Sequence, residues 1–179
     1  MKRIHKKKIL RIITTLNPEY GGPINAILHN SRALIKKGIK VDILTCDNKG
    51  VSYIKDKNIT VYNMGPSLLG RYGFSLKLFF WLKNNKEKYD TFLIHGLWQF
   101  ISLAVRLLLS KNYYIFLHGQ LDPFFKYNFF KLLKKKIYWI LIEKNNLLNA
   151  RSALLTSKGE KNSLKNTFVN FVGIKKKSS

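Results

Sequence analysis

The sequence predicts an α/β domain built on a doubly wound, mostly parallel sheet of Rossmann type. Three observations carry that prediction. Short apolar segments bounded by turn residues alternate with longer stretches of helical period, the pattern of successive β-α-β units. Two of the apolar segments end in His-Gly pairs, His95-Gly96 and His118-Gly119, so two strands deliver a histidine to one edge of a sheet. A glycine loop, Gly21-Gly22-Pro23, separates the first strand from the first helix, and in open α/β sheets ligands bind beyond that edge.

Each element has its own signal. Lys8 to Leu16 is mostly apolar and stops at Asn17-Pro18, a turn pair. After the glycine loop, Ile24, Ile27, Leu28, Leu34 and Ile35 repeat at helical spacing, Pro23 suits a first helical position and Gly38 a stop. Residues 40–46, KVDILTC, form a second strand and 59–63 a short third. Phe74 to Asn84 reads as an apolar helix, Thr91 to His95 as the fourth strand, Trp98 to Ser110 as a helix and Tyr113 to His118 as the fifth strand. Phe129 to Ala150 is the longest helical stretch. Its apolar set is Leu133, Ile137, Ile140, Leu141 and Leu148, beside Lys131, Lys134, Lys135 and Lys136. Such a face packs on the sheet with its lysines solvated, the plainer reading, or lies on an anionic membrane. Ser152 to Thr156 is a sixth strand, and Ser157 with Glu160 matches a capping box that would start another helix. From Lys161 the helical pattern fails, which divides the chain into one domain, residues 1–160, and an irregular basic tail, 161–179.

Composition narrows the function classes. A chain of 179 residues with 46% hydrophobic content holds one core, burying roughly 70% of its unfolded surface. The single cysteine, Cys46, excludes a disulfide framework or a multi-cysteine metal site and reads as a small apolar residue at a strand end. Arg11 interrupts the apolar part of the N-terminal stretch and no cleavage site follows, so a basic lead into the first strand is expected rather than a signal peptide. No transmembrane segment is expected; the lone cysteine suits a reducing cytoplasm, with peripheral contact at the inner face of the membrane at most. The net charge of +24 attracts polyanions of any kind, though abundant Lys, Asn, Ile, Phe and Tyr also fit an A+T-rich gene.

The candidate site residues follow from the sheet edge. Unpaired N–H groups in the Gly21-Gly22 loop and a helix dipole behind them favour a phosphate, although on spacing alone an ordinary tight turn is the plainer reading. G-x-G-x-x-G is absent, and Asp47 only weakly imitates a ribose-binding acid. His95 and His118 can each donate to a sugar hydroxyl or a phosphate without becoming charged. His29 and His5 lie outside this edge. No H-E-x-x-H, G-x-S-x-G or Walker-type loop is present, which removes support from metal chemistry, a serine nucleophile and P-loop transfer.

The order and spacing of these motifs resemble a known family. Gly21-Gly22-Pro23, residues 95–99 (HGLWQ), residues 118–123 (HGQLDP), residues 136–139 (KIYW) with Glu143, and Thr156-Ser157 with Glu160 look like the N-terminal domain of family 4 glycosyltransferases, retaining enzymes of GT-B fold. The resemblance implies transfer of a sugar from a nucleotide-sugar donor to a glycan or lipid-linked acceptor, with retention, in cell-surface polysaccharide or lipopolysaccharide synthesis. No metal or other cofactor is implied. His118 would face the donor sugar as the catalytic candidate. Gly21 and Gly22 would approach the diphosphate, His95 would line the cleft, and Asp122 would contact the acceptor or cap a helix. A GT-B enzyme has a second, nucleotide-binding domain, so the resemblance also implies a complementing C-terminal domain or subunit and an isolated chain without activity. The competing class is a non-catalytic basic module for nucleic acid or anionic membrane, which needs a continuous basic groove or face.

Overall fold

A computed structural model describes residues 7–20, 24–110, 112–120, 129–155 and 158–172. Strands β1 (Lys8–Ile13), β2 (Lys40–Thr45), β3 (Thr60–Asn63), β4 (Thr91–His95), β5 (Tyr113–Phe116) and β6 (Ser152–Leu154) form one sheet in the order β3-β2-β1-β4-β5-β6. Every pairing is parallel. This order reverses direction between β1 and β4, and the crevice beyond the strand ends at such a reversal is the usual ligand position.

Helices α1 (Ile24–Lys36), α2 (Leu76–Asn85) and α3 (Phe100–Leu108) cover the sheet. On one face Leu10, Ile12, Leu44, Phe92, Ile94, Tyr113 and Ile115 pack with Leu78 and Leu82 of α2 and with Phe100, Ile101, Ala104 and Val105 of α3. On the other, Ile13 and Ile43 meet Ile27 of α1 together with Leu16, Ile54 and Ile59. Full burial of one such side chain stabilises the fold by about 1.5–3 kcal/mol, and the near-continuous apolar strands reflect coverage on both faces. Local chemistry sets the helix ends. Gly38 takes φ 78° and donates to the Ile35 carbonyl at 2.9 Å, closing α1 as predicted. Ser75 caps α2 by accepting from the Leu78 N–H at 3.1 Å while its hydroxyl donates to the Met64 carbonyl at 2.6 Å.

Two expectations fail. The long helical stretch is α4 (Phe129–Tyr138), a π-turn (Trp139–Glu143) and α5 (Lys144–Asn149), but its apolar set does not pack on the sheet. Leu133, Ile137, Ile140, Leu141 and Leu148 are 46–63% exposed, whereas Trp139, Glu143, Asn146 and Leu147 are buried. Both sets have helical period; the buried one includes Glu143, which accepts from the Trp98 N–H, and Asn146, which donates to the Ser102 carbonyl at 2.8 Å, and these contacts to other elements fix the rotation of the helix. The second failure concerns the tail. Residues 158–172 form α6 (Lys158–Val172), not irregular chain from Lys161. Its weak intrinsic pattern is overridden by anchorage, with Glu160 buried and Leu164 packed on the core, because tertiary packing supplies most helical stability. Pro23 and the capping residue Ser157 lie outside the described residues. Smaller differences are at strand ends: β1 stops at Ile13 and β5 at Phe116.

Candidate active site

The neighbouring strands β4 and β5 bring the two histidines together. His95 is the last residue of β4 and pairs in register with Ile13 and Phe116; His118 follows β5 by two residues. His95 Nδ1 lies 3.0 Å from His118 Nε2. Their ring centroids are 5.3 Å apart with planes 18° from parallel, the arrangement of two rings joined edge to edge. Phe116 stacks on His95 at 4.7 Å. Below them Arg11, reaching from the middle of β1, brings Nη1 to 3.1 Å from His95 Nε2. Burial, the Arg11 charge and His118 push the His95 pKa well below its ordinary value. Burial also lowers that of His118, opposed by the Glu160 carboxylate. Both imidazoles are therefore neutral near pH 7.

The loops carrying these rings are held in uncommon conformations. His118 has φ 49° and Trp98 φ 64°, left-handed values that non-glycine residues keep only when their surroundings impose them. Two buried glutamates do so. Glu143, on the π-turn, accepts from the Trp98 N–H at 2.5 Å, and Glu160 on α6 accepts from the Gly119 N–H at 2.7 Å. Gln120 ties the loops to each other, since its side-chain oxygen accepts from the Leu97 N–H and its carbonyl from Trp98 Nε1 at 3.1 Å. Gly96, at φ 103°, leaves room for this clamp: a Cβ there would stand 3.1 Å from Gln99 Oε1 and 3.2 Å from Gln120 Nε2. Burial pushes the Glu143 carboxyl up to about 7, opposed chiefly by the hydrogen bond from the Trp98 N–H.

Beside this clamp a cleft of about 540 Å³ opens over the ends of β1 and β2, reaching Gln99 and Gln120. Its lining is polar and mixed in charge, with Thr14, Thr15, Asn17, Glu19, Asp47, Asn48 and Arg71 among its residues. Hydroxyls, amides and carboxylates of that kind suit a polyhydroxylated ligand; among the described lining residues Arg71 is the one cation. Thr14 Oγ1 donates to Gln99 Oε1 at 2.8 Å, which couples the cleft to the histidine loops.

The family model described as Glycosyltransferase Family 4 matches residues 20–170, which takes in the first helix, both His-Gly loops and the glutamates behind them. The chain belongs to glycosyltransferase family 4. Among solved structures it is similar to that of WaaG, a glycosyltransferase involved in lipopolysaccharide biosynthesis, with a TM-score of 0.55, 12% identity and 88% of this chain covered. The chain spans 41% of that structure, the extent of one Rossmann-like half of a GT-B fold. A sequence comparison with curated proteins gives no match.

Within this family 4 domain, His95 and His118 converge as the sequence reading expects, while Gly21, Gly22 and Asp122 lie outside the described residues. Asp47 has both carboxylate oxygens engaged, by the Thr15 hydroxyl at 2.6 Å and the Leu16 N–H at 2.8 Å, so it holds the chain after β1 as well as lining the cleft. Cys46 is buried, donates to the Gly73 carbonyl at 3.3 Å and has its thiol pushed up to about 12 by burial and Asp47, an inert strand-end residue. Sequence reasoning missed Arg11, Gln99, Gln120 and Glu143 as site residues. A charge in the middle of an apolar strand was the available signal for Arg11; Gln99 and Gln120 each follow a His-Gly pair.

Proposed function

We propose that this domain forms the acceptor-side wall of a sugar-transfer site, working with a nucleotide-binding domain to move a sugar from a nucleotide-sugar to a glycan or lipid-linked acceptor, with retention and without a metal. The observation that carries this reading is the hydrogen-bonded His95–His118 pair, 3.0 Å between ring nitrogens, held at the sheet's topological reversal beside a polar cleft. His118 donates a hydrogen bond to the donor sugar, and His95 holds it there. Gly21 and Gly22 approach the diphosphate, and Asp122 the acceptor. Charge developing on the departing diphosphate is stabilised by fixed donors and cations across the interdomain cleft. The setting is cell-envelope glycan synthesis on the cytoplasmic side.

The exposed apolar stripe on α4–α5 supports docking on an anionic bilayer. Lys134, Lys136 and Lys144 stand among Leu133, Ile137, Ile140 and Leu141, so apolar burial and attraction to acidic headgroups act together, while Lys135 lies over the Trp98 ring at 5.2 Å. Among the described residues no helix is long and apolar enough to cross a membrane. In this reading the exposed lysines serve a surface contact that brings the cleft to a lipid-linked acceptor.

The test is transfer from a panel of nucleotide-sugars to envelope lipid extract, with this chain alone and mixed with a separately expressed C-terminal domain of a family 4 enzyme. Product is expected only from the mixture, and His118→Ala should lower its rate at least 100-fold, about 2.7 kcal/mol of transition-state stabilisation. Undiminished transfer by the His118 variant would overturn the assignment.

A further inference from the structure

We infer that Arg11 is a positioning residue that sets the tautomers of both site histidines, making His118 a hydrogen-bond donor with no lone pair to offer a ligand. The chemistry follows from one fixed end. A guanidinium has five N–H donors and no acceptor, so the contact of Arg11 Nη1 with His95 Nε2 at 3.1 Å requires a lone pair on that nitrogen. The hydrogen of neutral His95 is then on Nδ1, where it points at His118 Nε2, 3.0 Å away. That nitrogen must accept in turn, which leaves the hydrogen of neutral His118 on Nδ1. One cation orders two rings through two hydrogen bonds.

The surroundings fit this role. Arg11 is 1% exposed, and among the described residues no carboxylate lies within 4.0 Å of it. Burial lowers its pKa only to about 10, so it is cationic at neutral pH. A buried arginine without an acidic partner is costly, and here its visible partner is an imidazole. The wire also resists protonation. A proton added to His118 goes to Nε2, against the Nδ1–H of His95; shifting the His95 hydrogen to Nε2 sets it against Arg11. Either way one buried hydrogen bond is lost and a second cation sits near the first. Glu160, from α6, is the group that favours charge on His118, and Phe116, stacked on His95, is neutral. His118 accordingly offers Nδ1–H to an oxygen of the ligand and takes no proton from an acceptor hydroxyl. That last consequence rests on the sugar-transfer reading of the site; the tautomers do not.

The experiment is long-range ¹H–¹⁵N correlation spectroscopy of the imidazole rings in the full chain at pH 7, without substrate. The chain has four histidines, and His5→Gln and His29→Gln identify the two outside the site. Both His95 and His118 are expected to show a protonated Nδ1 and an unprotonated Nε2. Arg11→Met should abolish the single-tautomer signal of His95, and Arg11→Lys, which keeps a donor, should retain it. Protonation of His95 on Nε2 in the wild type, or unchanged spectra in Arg11→Met, overturns the inference. Should Arg11→Met fail to fold, the wild-type and Arg11→Lys spectra still decide it. Because no sugar is present, loss of the sugar-transfer reading would leave this result standing, and the reverse.

Discussion

Replacing Glu143 by glutamine should change how the stability of this domain depends on pH. The Glu143 carboxyl is wholly buried on the π-turn, and its pKa rises from 4.5 to about 7. Between those values the native state holds a proton that the unfolded chain releases, so stability must fall as pH rises through that window. Each tenfold difference is about 1.4 kcal/mol, so this group alone removes about 3 kcal/mol between pH 4.5 and pH 8. Glutamine keeps the oxygen that accepts from the Trp98 N–H and does not ionise. Relative to wild type, Glu143→Gln should therefore gain about 3 kcal/mol on going from pH 4.5 to pH 8, and at about 2–4 °C per kcal/mol the melting-temperature difference should move by roughly 6–12 °C. Urea unfolding followed by tryptophan fluorescence at several pH values would measure it. Parallel pH profiles for the two proteins would refute the reasoning, since they would mean that Glu143 ionises in the fold as freely as in the unfolded chain.

Other perturbations have equally definite outcomes. Ser75→Ala removes the α2 cap and the bond to Met64, and should cost about 1–2 kcal/mol in urea unfolding; Ser75→Thr should restore most of it. Gly96→Ala places a methyl group against Gln99 and Gln120 at a φ that alanine resists, costing about 1–3 kcal/mol, with a larger proportional loss in the complemented transfer assay than a core variant of equal stability. Replacing Ile137 and Leu141 together by serine should weaken sedimentation with phosphatidylglycerol vesicles by at least about tenfold. The same change should leave unfolding midpoints nearly unaltered, because both residues are exposed; retained vesicle binding would remove the α4–α5 docking face.

The parallel sheet and the pairing of its histidines were legible because local signals agreed. Apolar runs ended at turn residues, and each His-Gly pair marked a strand end, so β4 was legible to the residue and β5 to within two. The facing of α4–α5 was not legible, since two stripes of helical period coexist there. Apolarity favoured Leu133 and Ile137, while the interior was decided by what Glu143, Asn146 and Trp139 contact in other elements. Arg11 was visible only as an interruption. Its role depends on His95, 84 residues away, and no local pattern encodes that distance. The start of α6 was legible as a capping-box pattern, but its continuation past Lys161 was lost for a related reason, as its anchors at Glu160 and Leu164 act through tertiary contact.

The π-turn gives α4–α5 two occupations at once. Its outward side carries Ile140 and Leu141, and its inward side presents the Glu143 carboxylate to the backbone of Trp98. Within five residues the same stretch of chain meets whatever lies outside the protein and fixes the loop that follows His95. A tilt of that helix against a surface is thus a displacement of the loop: position relative to the outside world and geometry at the sheet edge share one mechanical part.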